Sequence, residues 1–250
     1  MKKIKFISGL LTSVLCASFC FAGAKEPSRE KPVDTELVFI LDKSGSMHHL
    51  TDDTIGSFNS VIEEQKKTET NGNVYVTTVM FSDTHTKIHN RKNLNDISPI
   101  TRKEYSPGGC TALLDAVGDT INELSNRQKC CNCCKCCECR HCKSKNKVMF
   151  VIITDGCENA SKEFKKDQVK KLIEDKQTND KWEFIFLGAN IDSVSAAGNI
   201  GIDAKYARDF TASSEGIKNA CELASRSISQ FRENKEIDLD KTEQENKKVD

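Results

Sequence analysis

Asp42, Ser44 and Ser46 stand at alternate positions in Asp42-Lys43-Ser44-Gly45-Ser46, directly after the apolar run Leu37-Val38-Phe39-Ile40-Leu41. One carboxylate and two hydroxyls released from the end of a buried strand can converge on a single hard cation if the backbone turns there. Cations of the Mg²⁺ class take oxygen ligands in a near-octahedral set and usually keep some water. Two more oxygen side chains occupy comparable places. Asp155 lies in Thr154-Asp155-Gly156, after an apolar run over 148–153, and Thr111 follows the Gly108-Gly109 turn at the start of a helical pattern.

The elements that must position these groups follow from periodicity. Strands are expected over 35–42, 74–81, 148–153, 182–187 and 206–210, with a polar edge strand over 86–91. Helices are expected over 49–67, 111–126, 161–176, 193–197 and 214–232. Strands alternating with helices, the central ones continuously apolar, predict an α/β fold: a doubly wound, mostly parallel central sheet with helices on both faces. Ligands on such sheets bind at the carboxyl ends of the strands, where Asp42, Thr111 and Asp155 would meet.

Three motifs occur in order on this pattern: Asp42-x-Ser44-x-Ser46, Gly109-Cys110-Thr111-Ala112-Leu113 and Ile153-Thr154-Asp155-Gly156. Together they resemble the von Willebrand factor type A (VWFA) domain, a Rossmann-like fold, and its metal-ion-dependent adhesion site (MIDAS). The likeness runs over 35–232 and is greatest to single-domain bacterial members. All five site positions match. The resemblance implies that Ser44 and Ser46 bind the cation through their hydroxyls, Thr111 binds it directly when ligand is engaged, and Asp42 and Asp155 act directly or through water. It implies Mg²⁺ as cofactor, with Mn²⁺ or Ca²⁺ as alternatives. The implied partner is another protein, engaged through an acidic side chain, and the implied class is a non-enzymatic binding module.

Elementary electrostatics agrees with that role. A helix N-terminus disfavours a cation, and two carboxylates offset this while leaving the ion able to accept a further anionic ligand. A purely structural reading competes with it: the serines cap the first helix and backbone amides satisfy the aspartates. His48 and His49 could serve as a base beside a metal-activated water, making a hydrolase, or stand as exposed first-turn histidines.

Composition sets the outer limits. The 250 residues carry 37 basic and 37 acidic side chains, which gives no electrostatic case for nucleic acid. Lys2, Lys3 and Lys5 precede an apolar stretch over 6–21 and Ala22-Gly23-Ala24, the form of a secretory signal peptide over 1–24. The expected location is exported, periplasmic or secreted, with no membrane span after cleavage. Residues 25–34 read as a linker, and 233–250 as a charged, disordered tail.

Thirteen cysteines are present. Cys110 and Cys157 flank two of the candidate ligands, and a disulfide between them would tie two ligand loops together. The insertion 128–147 carries Cys130, Cys131, Cys133, Cys134, Cys136, Cys137, Cys139 and Cys142 with His141, and nothing in the family resemblance accounts for it. Three readings stand: a soft-metal cluster for Zn²⁺ or Cu⁺, a disulfide-tied knob, and a variably oxidised loop. The first would make the chain a metal-sequestering or metal-sensing protein on a VWFA scaffold.

Overall fold

The central strand, β1 (Thr35–Asp42), is buried along its whole length. Its alternation feeds two cores. Leu37, Phe39 and Leu41 point to one face, and Val38 and Ile40 point to the other. The computed structural model, which describes residues 33–69, 72–133 and 146–246, builds a six-stranded sheet around β1. The other strands are β2 (Val74–Phe81), β3 (His85–Asn93), β4 (Lys147–Thr154), β5 (Glu183–Ala189) and β6 (Ala207–Phe210), in the order β3-β2-β1-β4-β5-β6. All neighbours are parallel except β3, which runs antiparallel to β2 at the edge. The doubly wound, mostly parallel architecture read from the sequence is thus the one observed.

Helices α1 (Thr51–Lys67) and α5 (Ser214–Arg232) cover the first face. On the second face lie α2 (Leu113–Cys133), α3 (Lys166–Asp175) and α4 (Ser193–Asn199). Helix α5 has the bounds expected from its apolar stripe. Helix α1 starts two residues late, because Gly45–Leu50 forms a tighter 3-10 turn first.

Two other expectations need correction. The helix expected over 161–176 begins only at Lys166, since the segment before it gives its amides to side chains. Asp115 accepts from the N–H groups of Lys162, Glu163 and Phe164 at 2.8–3.0 Å, and such bonds compete with helix formation. The tail expected to be disordered instead carries a helix, α6 (Leu239–Asn246). Ile237 and Leu239 join the core on the α1–α5 face, Gln230 donates to the Thr242 hydroxyl at 3.0 Å, and Arg208 pairs with Asp240. Two apolar anchors and the ion pairs of Arg208 with Asp240 and Glu243 hold a segment whose composition alone is that of a solvated chain.

β1 is also where the winding reverses, with β2 on one side and β4 on the other. The crevice between the carboxyl ends of β1 and β4 is therefore the expected ligand position. The signal peptide expected over 1–24 falls outside the described residues, as do the side chains of the whole cysteine run 130–142. The described elements on either side of that run are the last turn of α2 and the amino end of β4, which is the end of that strand opposite the crevice. Among the described residues no helix is long and apolar enough to cross a membrane.

Candidate metal centre at the carboxyl edge of the sheet

The register places Leu41 beside Ile153, so Asp42 and Thr154 end neighbouring strands side by side on the same face. The Thr154 hydroxyl donates to Asp42 Oδ2 at 2.5 Å, and the Ser44 amide donates to Asp42 Oδ1 at 2.7 Å. The buried Tyr105 phenol donates to the Asp42 carbonyl at 2.6 Å. The strand end and its side chain are therefore fixed from three directions.

Beyond Asp42 the chain turns. Its two serine hydroxyls do not cap the helix that follows: Ser44 occupies the cap position but makes no side-chain cap bond. Instead Ser44 Oγ lies 3.1 Å from Ser46 Oγ, and Ser46 Oγ donates to Asp155 Oδ1 at 2.5 Å. The capping alternative fails for Ser44 on this geometry.

Thr111 arrives from a third loop. A methyl group built on Gly156 would stand 3.2 Å from Thr111 Oγ1 and 3.8 Å from Ser46 Oγ, so both hydroxyls gather over the Gly156 main chain. Asn159 clamps Thr111 at two points. Its side-chain oxygen accepts from the Thr111 amide at 2.9 Å, and its own amide donates to the Thr111 carbonyl at 3.0 Å. Glu158 accepts from the Leu114 amide at 2.9 Å, further tying the start of α2 to the loop after β4. On the other side, Gly45 N donates to Gly109 O at 2.9 Å and Gly108 N to Lys43 O at 2.8 Å. Gly109 adopts φ +83°, and a Cβ there would collide with the Asp83 carboxylate. A glycine is required at that point for the loop to close.

The electrostatics is unbalanced. Asp42 is 1% exposed and Asp155 3% exposed, yet among the described residues no lysine or arginine pairs with either. Burial pushes the Asp42 carboxyl above its ordinary range, partly opposed by the Thr154 and Ser44 hydrogen bonds, and the nearby Asp155 raises it further. Burial likewise raises Asp155, against the Ser46 hydroxyl and His49. Asp155 Oδ2 is buried with no hydrogen-bond partner among the described residues, which ordinarily costs about 1–3 kcal/mol. Two buried carboxylates, three converging hydroxyls and one orphaned oxygen form a hard, oxygen-only donor set that fits a divalent cation of the Mg²⁺ class. Among the described residues no cluster of three or more His, Cys, Asp or Glu side chains offers a rival metal site.

The remaining candidates fall outside this set. His49 has Nδ1 2.8 Å from the Ser46 carbonyl and Nε2 3.3 Å from the Ala212 carbonyl. Both ring nitrogens face backbone carbonyl oxygens rather than the hydroxyl cluster. The Cys110–Cys157 disulfide is not formed. Both cysteines are free and exposed, and the Cys110 thiol is turned to Asp83, whose carboxylate pushes its pKa up. Thr154, Tyr105 and Asn159 were not singled out in the sequence. Thr154 could have been, since it precedes Asp155 at the end of an apolar strand. Asn159 leaves no sequence signal, because its role depends on two loops meeting.

Compared by sequence, the chain matches no protein-family profile and no curated protein. Compared by structure, it is similar to a von Willebrand factor type A protein from Catenulispora acidiphila, with a TM-score of 0.52 at 11% identity over 79% of this chain and 43% of that one. The fold is that of a VWFA domain. The same VWFA fold relates it to the pilus adhesin SpaC of Lactobacillus rhamnosus GG, with a TM-score of 0.58 at 13% identity over 82% of this chain and 31% of SpaC. It also relates it to proximal thread matrix protein 1 of the mussel byssus, with a TM-score of 0.50 at 15% identity over 79% and 46%. This chain aligns with less than half the length of each.

Proposed function

We propose that this VWFA fold is a non-enzymatic, cation-dependent protein-binding module. A Mg²⁺-type ion would be held by Asp42, Ser44, Ser46, Thr111 and Asp155, and an acidic side chain of a partner protein would complete its coordination. The reading rests on one observation: among the described residues the two buried carboxylates share no cationic side chain, and Asp155 Oδ2 has no hydrogen-bond partner. The ion would supply the missing positive charge. Because three of the five donors are neutral hydroxyls, it would stay electron-poor enough to attract a carboxylate from outside.

This chain's residues divide the work. Asp42 and Asp155 provide charge, Thr154 and Tyr105 hold Asp42 in place, and Asn159 holds Thr111. Isothermal titration with Mg²⁺ and Mn²⁺ should show one site per chain, lost in Asp42→Ala while the circular dichroism spectrum is kept. Beads displaying an aspartate-bearing peptide should then retain the wild-type protein with Mg²⁺ and release it with EDTA. Retention that ignores both EDTA and Asp42→Ala rejects the proposal.

A further inference from the structure

Helices α1 and α5 lie side by side, and on their solvent side they leave a groove of about 600 Å³, within the range of binding clefts. Its floor is made of small or apolar groups: Gly56, Ser57, Ser60 and Val61 from α1, with Cys221 and Ser225 from α5. Gly56 is the telling residue. It sits inside α1, where glycine costs about 1 kcal/mol relative to alanine. Nothing lies within 4 Å of a Cβ built there, and its φ is not in the left-handed region. No contact among the described residues explains the glycine, whereas a ridge packed closely against α1 from outside would.

The rim is acidic. Asp52, Asp53, Glu64, Glu215 and Glu222 line the groove against the single cation Lys218. Arg102 neutralises Asp52, Lys67 pairs with Glu64, and Lys218 lies 3.8 Å from Glu222. Asp53 and Glu215 have no ion-pair partner among the described residues; Asp53 accepts only from the Ser214 hydroxyl.

We infer that this groove docks a basic amphipathic helix of a partner protein, with a small-residue or aliphatic ridge seated over Gly56 and Ser60 and lysines or arginines against Asp53 and Glu215. A second copy of this chain is the poorer occupant, since a two-fold pairing of grooves would set acidic rim against acidic rim.

The test uses two 18-residue helical peptides, an alanine–leucine stripe flanked by lysines and the same stripe flanked by glutamates. Each is titrated into the full chain in EDTA, so that the result is independent of the cation site. The lysine peptide should bind, shift amide resonances of α1 and α5, and weaken as salt rises. Gly56→Leu, which fills open space and leaves the melting temperature unchanged or higher, should weaken it at least tenfold. Glu215→Gln should weaken it and flatten the salt dependence. Equal binding of the glutamate peptide, undiminished binding to Gly56→Leu, or shifts confined to other surfaces would overturn the inference. So would wild-type dimerisation that Gly56→Leu abolishes, which would give the groove to a second copy.

Discussion

At the residue scale, the unpaired carboxylates set the behaviour of the metal-free protein. Asp42→Asn keeps an oxygen for the Ser44 amide and removes a buried charge. The variant should therefore melt above wild type in EDTA and show no rise on adding Mg²⁺. Wild type saturated at 100 times its dissociation constant should gain about 2.7 kcal/mol. The pH dependence follows from the direction of the shifts. Both folded-state pKa values are raised above the ordinary 3.8, so the folded chain binds these protons more tightly than the unfolded one. The destabilisation of metal-free wild type relative to Asp42→Asn should be full at neutral pH and shrink as pH falls through the raised values toward about 4. The gain from Mg²⁺ should fade over the same window, because protons then compete with the ion. Melting curves of both proteins from pH 7 to pH 4, with and without Mg²⁺, check all three outcomes. The five candidate donors are legible as a motif because their types are restrictive. Their supports are not, because any threonine, tyrosine or asparagine can donate a bond and only the fold selects which one does.

At the scale of elements, the loop after β4 matters more than its sequence announces. Asp115, in the first turn of α2, takes three amides of 162–164, while Glu158 and Asn159 bond to the start of the same helix. Asp115→Ala should cost about 2–3 kcal/mol by urea unfolding, since it leaves these donors without their acceptor. It should also weaken Mg²⁺ binding, because Thr111 is placed through this same contact. Asn159→Ala should weaken the cation by severalfold in calorimetry with a smaller loss of stability, since its backbone bond to Thr111 survives. Strands and long helices were legible from their period because burial on one or both faces imposes it. The segment 161–165 was misread because helix-compatible residues there meet acceptors that only tertiary contact supplies.

At the scale of the whole molecule, the last helix shows the same limit. Nothing in the charged composition of 233–250 announces burial, yet Ile237 and Leu239 lie in the core. Deleting residues 236–250 should lower stability by about 3 kcal/mol, estimated from the loss of two buried aliphatic side chains, and thermal melting would measure it. The placement of β1 at the centre of the sheet has a consequence in time. The Asp42–Thr154 bond joins residues 112 apart, and Asp155 follows at once. A ribosome that has extruded only the first hundred residues holds β1 with one flank bare, an apolar strand open to wrong pairing. During that interval a chaperone has a ready target and the nascent chain has three of the five oxygen side chains, Asp42, Ser44 and Ser46. The full set first exists when β4 slides in beside β1, so occupancy by a cation would mark a chain whose synthesis has passed that point.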